Sequence, residues 1–343
     1  MVHARLSAII LFTLGVLLCI TPAAAESEKT FDTFTAYWEN DFFAGTDNYY
    51  TNGLKFTLST PYKIDSASLH LPRWSRPVMS WLPFVSDPSS LRAVSLSLGQ
   101  NIYTPDDISR SDVIMDDRPY AGIAYLAAGF HGVKGNRMTS WEIDVGVIGP
   151  LSYAEQTQDS IHRITGSRQA QGWSHQLHNE LALEVVCESQ WKTLQGEFVR
   201  GVNYDLIPHL GARVGNVQIY VNTGAEARIG WNLPADFGSC PIRPGCETNS
   251  GDSGRKTGGL FGAHVFTAVD GRVVLRDIFL DGNTFGSSQS VEKESFVADV
   301  MAGVAVEYGK FKMSYSYVVR TKQFKAQQNN QIFGTISLTW TFD

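Results

Sequence analysis

The chain has no long apolar segment after its N-terminus and no concentrated basic patch. Only the stretch from about Leu6 to Ile20 is continuously apolar, and no later segment approaches the ~20 residues that a membrane-spanning helix needs. Lysine and arginine together number 28, against 34 aspartates and glutamates. We therefore do not expect nucleic acid as a partner, and any membrane crossing must be made by strands.

The N-terminal segment has the three parts of a secretory signal peptide. Arg5 supplies a basic start, the apolar core follows, and residues 23–25 form a small-residue exit of three alanines. The alternative is a retained membrane anchor, but the core is short for a spanning helix. We expect a signal peptide over residues 1–25 and one mature domain over residues 26–343, because no linker, repeat or low-complexity tract divides the rest.

Three cysteines remain after the predicted cleavage. Cys240 and Cys246 flank a Pro-Ile-Arg-Pro-Gly segment, and they are able to form a small disulfide loop in an oxidising compartment. A zinc site is the weaker reading, since no second pair and no close histidine accompanies them. Cys187 lies in an apolar run and is interpreted as a packed, unpaired residue.

The last strand is the clearest structural signal in the sequence. From Gly334 onward one face is apolar and rich in aromatic residues, and the other carries hydroxyls, as in a strand between lipid and a polar lumen. The apolar set is Ile336, Leu338, Trp340 and Phe342, and it alternates with Thr335, Ser337, Thr339 and Thr341. Similar alternation recurs within residues 49–59, 94–99, 217–229 and 311–317. The sequence predicts an all-β fold, an antiparallel transmembrane β-barrel.

We predict twelve strands, because single-chain bacterial barrels have an even number and both ends on one side. Short turns are expected at residues 269–271 and 308–310, where glycine occurs. The long, proline-containing segment 61–90 falls on the inner side, where it fits the scheme poorly. Outer loops are expected at residues 42–48, 102–118, 150–178, 232–257, 282–294 and 321–330.

One outer loop is expected to contain a short helix. Residues 152–155, Ser-Tyr-Ala-Glu, read as a capping box, and the helix then runs from about Ala154 to Thr165. Gln158 and His162 are four residues apart and share one face of it. The apolar residues off this face, available to pack against a barrel wall, are Ile161 and Ile164.

Polar residues at two strand ends suggest a site beside this helix. The first strand ends at Asn40 and Asp41, and strand alternation places Thr51 on the luminal face, with Asp41 also luminal if no bulge intervenes. A carboxylate, an amide and a hydroxyl suit a hard cation such as Ca²⁺. A histidine nearby can take a proton from water, and with a metal-polarised carbonyl this is sufficient for ester hydrolysis. Taken singly, an Asn-Asp pair after a strand is more often a turn, and a histidine on a loop helix is more often solvated.

Three longer motifs resemble the lipid A 3′-O-deacylase family of Gram-negative outer membranes. They are E-N-D-x-x-x-G-T-D-x-Y-Y-T-N-G (Glu39 to Gly53), D-D-R-P-Y-A-G (Asp116 to Gly122), and V-G-V-I-G-P followed by E-Q-T-Q-x-x-x-H-R-x-x-G-S (Val145 to Ser167). Q-G-W at residues 171–173 and N-E at 179–180 extend the similarity.

This resemblance implies a twelve-stranded barrel in the outer membrane, with a site between the barrel wall and a loop helix. The implied reaction is Ca²⁺-dependent removal of the 3′-linked acyloxyacyl group from lipid A, the lipid part of lipopolysaccharide. The matching positions are Asn40 and Asp41 for the metal, Thr51 for the site wall, Gln158 for positioning and His162 for the base. The metal would stand where an oxyanion hole otherwise does.

One departure and two alternatives remain. A lysine that lines the site in the family has no clear counterpart, and Arg110 is the candidate substitute, so substrate choice is affected. A phospholipase with Ser160 as nucleophile is disfavoured, because Ser160 and His162 do not share a helix face. The second alternative is a porin or a surface-interaction barrel without catalysis.

Overall fold

The computed structural model describes residues 31–41, 49–64, 71–239 and 260–342. The predicted signal peptide, the loop at 42–48 and the pair Cys240 and Cys246 lie outside these residues. Cys187 is a free, partly buried thiol, as predicted. Within the described ranges, no helix has the length and hydropathy needed to cross a bilayer.

The described residues form strands joined by loops that contain a few short helices. The strands are β1 (Thr33–Asn40), β2 (Tyr49–Ser59), β3 (Leu91–Thr104), β4 (Ala121–Lys134), β5 (Arg137–Ile148), β6 (Glu180–Trp191), β7 (Gly196–Val199), β8 (Val202–Gly215), β9 (Gln218–Trp231), β10 (Phe261–Asp277), β11 (Phe296–Tyr308), β12 (Phe311–Arg320) and β13 (Gln331–Thr341). The α-helices are α1 (Ser75–Trp81), α2 (Ala154–Thr165) and α3 (Ile278–Asp281), and 3₁₀ turns occur at Pro150–Ser152 and Trp173–His175.

Twelve of these strands close into an antiparallel barrel, which confirms the predicted fold. Each strand pairs with its neighbours along the chain, β1 pairs with β13, and the β6–β8 pairing bypasses the short β7 to close the ring. We call the rim with Thr33 and Thr341 the chain-end rim. The opposite rim, where β1 ends at Asn40, is called the site rim.

The alternation predicted for β13 is confirmed. Thr335 and Ser337 are buried inside the barrel, whereas Leu338 and Trp340 are 44% and 40% exposed on its outer surface. Period-two alternation forms here because one face meets lipid and the other meets polar side chains. The turn at residues 308–310 is also confirmed, since β11 ends at Tyr308 and β12 begins at Phe311.

Two of the predicted connections are wrong. Residues 269–271 form no turn, because β10 runs unbroken from Phe261 to Asp277 and the Asp270 carboxylate accepts a 2.7 Å hydrogen bond from His209 Nε2 inside the barrel. Without that turn, the connection after β9 moves to the chain-end rim, so residues 232–239 lie there and not on the predicted outer side. Residues 61–64 and 71–90 do lie on the chain-end side, as predicted for this segment.

Charged side chains fill the lumen near the chain-end rim. Arg228 donates to both carboxylate oxygens of Asp205, at 2.8 and 2.6 Å, and also pairs with Asp236. Lys312 pairs with Asp236 as well. Burial acts to raise the pKa of Asp236, but Lys312 and Arg228 together hold it far below its usual value. These ion pairs fasten residues 232–239 inside the barrel.

A lumen obstructed at one rim predicts poor conductance. The ion pairs of Arg228 and Lys312 hold residues 232–239 inside the barrel at the chain-end rim, although a cavity remains deeper in the lumen. The purified chain in a planar lipid bilayer should therefore show no stable open-channel current above that of the bilayer alone. Large, long-lived channel currents from the wild-type chain would favour the porin alternative instead.

Candidate functional site

The end of β1 is fixed by hydrogen bonds along the outer face of the barrel. Asn40 Nδ2 donates to the Thr51 carbonyl at 2.9 Å and to Asn52 Oδ1 at 3.2 Å. Trp38 Nε1 also donates to Asn52 Oδ1, at 2.9 Å. Asp41 follows directly and is only 2% exposed, but it lies beyond the last residue of β1, so strand alternation no longer decides its direction.

Thr51 does not face the lumen, so that prediction is wrong. The β2–β3 register shifts between Tyr50 and Asn52, which makes Thr51 the extra residue of a β-bulge. Tyr50 points inward, with its ring 5.3 Å from that of Tyr103. Thr51 and Asn52 therefore both turn to the outer face, where Thr51 Oγ1 lies 2.8 Å from Thr104 Oγ1.

Helix α2 packs on the outer wall of β3 and β4, beside this bulge. Gln100 Nε2 donates to the Ser152 carbonyl at 2.6 Å, and Ile102, fully buried, packs in one cluster with Ala154. Gly122 permits this approach, because a Cβ there would lie 2.1 Å from the Cβ of Ala154. The helix thus rests directly on the sheet.

The helix has the predicted bounds, but its predicted capping box is wrong. Ser152 belongs to the preceding 3₁₀ turn, and its hydroxyl donates to the Gly149 carbonyl at 2.6 Å. Tyr153, with φ of 56°, is the N-cap and makes no side-chain cap. The tight connection over Gly122 holds Ser152 in the turn, out of capping position. At the other end Gly166, with φ of 72°, donates its N–H to the His162 carbonyl, so the predicted stop is confirmed.

The shared face of Gln158 and His162 is turned toward the protein. The two side chains are 2% and 5% exposed. Gln158 Oε1 accepts a 2.8 Å hydrogen bond from Trp173 Nε1, and His162 Nδ1 bonds to the Arg168 carbonyl. Because a carbonyl only accepts, His162 Nδ1 carries the proton, and Nε2 is the basic nitrogen in the neutral ring.

The two isoleucines predicted to pack against the barrel wall lie off the buried face of α2, and Ile161 is half-buried. Ile164 is 51% exposed, so the expectation that it packs against the barrel wall is wrong. The wall contact is made by Ala154, on the same face as Gln158, whereas Gln158 itself bonds to Trp173 of the loop. Ser160 is exposed and donates to the Gln156 carbonyl at 2.7 Å, which turns it away from His162 and removes geometric support for a serine nucleophile.

Arg110 lies at the surface of the loop between β3 and β4. Its guanidinium donates to the two carboxylate oxygens of Asp112 at 3.0 and 2.5 Å, and this pair holds the pKa of Asp112 below its usual value. Arg110 is thus engaged in an exposed ion pair and not on the buried face of α2.

Residues not predicted as site residues support this face. Tyr120 and Trp173 have ring centroids 5.0 Å apart, and Gly172 lies so close to Tyr120 that a Cβ would be 2.4 Å from its ring. Trp173 was visible in the sequence only as part of the Q-G-W motif, and nothing there indicated its bond to Gln158. Nothing in the sequence indicated that Gly122 and Thr104 support the site, because their contacts are with residues on neighbouring strands and on α2.

Replacing Trp173 with Phe tests whether the hydrogen bond from Trp173 holds the Gln158 side chain in place. The ring packing on Tyr120 is kept, but Gln158 Oε1 loses its donor, which should cost about 1–3 kcal/mol for a buried acceptor. We expect a lower unfolding midpoint and a lower turnover with substrate binding little changed. Unaltered stability and turnover would show that the bond contributes nothing. Trp231→Phe, at an exposed position far from α2, is the matched control.

The adjoining ends of β1 and β2 are rich in oxygen groups that could hold a cation. Within residues 31–41, 49–64, 71–239 and 260–342, no group of three or more His, Cys, Asp or Glu side chains is placed to hold a metal. The Asp41 carboxylate, the Asn40 amide and the Thr51 hydroxyl are nonetheless all buried oxygen groups at neighbouring strand ends. Such a set, completed by carbonyls and water, fits a hard cation such as Ca²⁺ and does not fit a soft one.

The chain was compared with known families and structures. The family model described as "Outer membrane protein LpxR" matches residues 11–342. LpxR from Salmonella typhimurium superposes with a TM-score of 0.71 at 19% identity, covering 90% of this chain and 100% of that one. The β domain of the Bordetella autotransporter BrkA gives 0.43 at 9% identity, covering 92% and 100%. Among curated protein sequences, none matches.

Proposed function

Because the chain belongs to the LpxR family of outer-membrane proteins, we propose that it is a lipid A 3′-O-deacylase that works with Ca²⁺. One observation supports this most. A histidine oriented by a carbonyl lies on a helix that packs against the outer, lipid-facing side of a barrel wall. An enzyme acting on a membrane lipid needs its base on that side and not in the lumen.

His162 serves as the general base. Its Nδ1–H is held by the Arg168 carbonyl, so Nε2 takes a proton from water as the water oxygen attacks the ester carbonyl carbon. The bond from that carbon to the 3′ oxygen of the sugar then breaks. His162 returns the proton to this oxygen, which leaves a sugar hydroxyl and a free acyloxyacyl acid.

Gln158 and Thr51 position the reacting groups. Gln158 is locked by Trp173, so its amide nitrogen is held on the face that it shares with His162. Thr51 is presented on the outer wall by the β2 bulge and is held by Thr104. Preorganised donors of this kind lower the barrier without reorganising during the reaction.

Asp41 and Asn40 would hold the calcium ion, with Thr51 beside them. When bound there, Ca²⁺ would supply positive charge to the carbonyl oxygen of the ester. Asn40 Nδ2 donates to the Thr51 carbonyl and to Asn52 Oδ1, so the side-chain oxygen of Asn40 is the atom that would act as a ligand.

The helix itself is suited to lipid. Leu151, Tyr153 and Ile164 are 55%, 64% and 51% exposed around α2. Exposed apolar side chains on the outer wall belong in acyl chains and not in water. A lipid A molecule therefore reaches the buried face of α2 by lateral movement within its leaflet.

Removing calcium tests the proposed cation. Purified protein treated with a chelator should lose deacylation, and added Ca²⁺ should restore it where Mg²⁺ restores it poorly, because Mg²⁺ demands a stricter octahedral shell. Asp41→Asn should need more Ca²⁺ for half-maximal activity, since it removes the carboxylate charge. Full activity after exhaustive chelation would contradict the calcium requirement. The role of His162 is tested separately by its own variant.

A further inference from the structure

A segment near the chain-end rim lies on the outside of the barrel. We call residues 71–90, which include α1, the strap. Leu71, Met79 and Val85 of the strap are 2%, 0% and 0% exposed. They pack in one apolar cluster with the outward side chains Val94 of β3 and Phe130 of β4. The strap therefore covers the lipid-facing wall of these strands.

The strap is docked by specific contacts. Trp141 Nε1 of β5 donates to the Pro83 carbonyl at 3.1 Å. A Cβ at Gly132 would lie 3.0 Å from the Val85 backbone and 3.1 Å from the Phe84 carbonyl, so the two chains meet closely there. Phe84 has φ of 66°, a strained conformation for a bulky residue, and this displays its ring outward.

The outward face of the strap is aromatic and basic. Trp81, Phe84 and Trp74 are 88%, 59% and 48% exposed. Arg73 adds an exposed positive charge on the same short segment, whereas the half-buried Arg76 donates its guanidinium to the Leu71 carbonyl at 3.3 and 3.1 Å. Exposed tryptophan beside arginine is typical of segments that lie at a membrane–water interface.

The strap fills a gap in a ring of aromatic residues. Near the chain-end rim, strands β8 to β13 carry exposed aromatics on the outer surface, whereas β3 and β4 do not. These residues are Tyr204, Trp231, Phe261, Tyr308, Phe311 and Trp340. Arg137 of β5 links the strap to Trp191 at the end of β6, since its guanidinium lies 3.9 Å from the Phe84 ring centroid and 5.6 Å from that of Trp191.

We propose that the strap is a membrane-anchoring element that seats Trp74, Trp81 and Phe84 in the phospholipid headgroup layer at the chain-end rim. The strap continues the lipid-facing wall and completes the aromatic girdle where the strands lack it. The exposed Arg73 matches lipid phosphates, and the one acidic residue of the strap, Asp87, is already paired with Lys134 at 2.5 Å. The occupant is thus the bilayer surface and not a soluble partner.

Tryptophan quenching in vesicles tests this directly. The full chain is reconstituted in phosphatidylethanolamine–phosphatidylglycerol vesicles, and the emission of Trp81→Phe is subtracted from that of wild type to isolate Trp81. Lipids brominated near the headgroup should remove most of this signal, while aqueous iodide should quench it little. Trp231→Phe, a girdle position on β9, is the matched control and should behave alike.

The opposite result would overturn the proposal. In that result, iodide quenches the emission of Trp81 strongly. The brominated lipids leave the emission of Trp81 unchanged but quench that of Trp231. The strap would then lie in water. Because Trp81 is exposed and phenylalanine keeps an aromatic ring, Trp81→Phe should retain the fold. A shift in electrophoretic mobility between unheated and heated samples verifies that the barrel is folded. The outcome does not depend on catalysis.

Discussion

Replacing His162 with Ala should abolish deacylation while leaving the barrel folded. The imidazole contributes through Nε2, which takes the proton from water, and the loss of a positioned general base costs roughly 10²- to 10⁴-fold in rate. The side chain is held by one carbonyl at the end of α2, so its removal leaves the strands untouched. The measurement is the turnover of purified protein on lipid A in detergent micelles.

His175 provides a matched control for this variant. It lies in the same loop, on the 3₁₀ turn Trp173–His175, but its side chain is exposed. His175→Ala should therefore keep wild-type turnover. Wild-type turnover of a folded His162→Ala, matching that of His175→Ala, would show that His162 is not the base.

Replacing Gly122 with Val should also remove most activity, although Gly122 touches no substrate. A Cβ at this position would lie 2.1 Å from Ala154 Cβ and 2.4 Å from Ser152 Oγ, so α2 must move off the wall. A displacement of about 1 Å can cost ~10²-fold in rate. Valine suits a strand, so β4 itself should persist.

Gly286 is the control for Gly122. A Cβ at Gly286 meets nothing within 4 Å, so Gly286→Val should leave turnover unchanged. Both variants should keep the heat-modified mobility of a folded barrel. Wild-type turnover of a folded Gly122→Val would contradict the idea that the contact between α2 and the barrel wall positions the site residues.

The strands could be predicted wherever the difference between lipid and the polar lumen alone determines the residue type at each position. In β13, lipid on one side and a polar lumen on the other impose a period of two, which a single sequence displays. The end of α2 was predictable for a similar reason, because Gly166 takes a left-handed conformation that glycine adopts freely.

The predictions were wrong where hydrogen-bond pairing between neighbouring strands determines which way a side chain points or whether a strand continues. Thr51 turns outward because β2 has one more residue than β3 at that point, and no alternation within β2 reveals it. Asp270 and Gly271 resemble a turn, yet His209 of β8 bonds to Asp270 of β10 over Gly224 of the intervening β9, and β10 continues. The predicted site residues Asn40, Asp41 and Thr51 lie at one rim of the barrel, but the side of the wall that Thr51 faces could be decided only from the register.

Mass spectrometry of lipid A is the measurement that tests the central claim most directly. Lipid A is extracted from a Gram-negative host that expresses the chain and compared with that from a host expressing His162→Ala, with and without added Ca²⁺. The account predicts loss of a 3′-acyloxyacyl mass with the wild-type chain only, and more of it when Ca²⁺ is present. An unchanged lipid A profile with a folded wild-type barrel, or the same mass loss with His162→Ala, would contradict it.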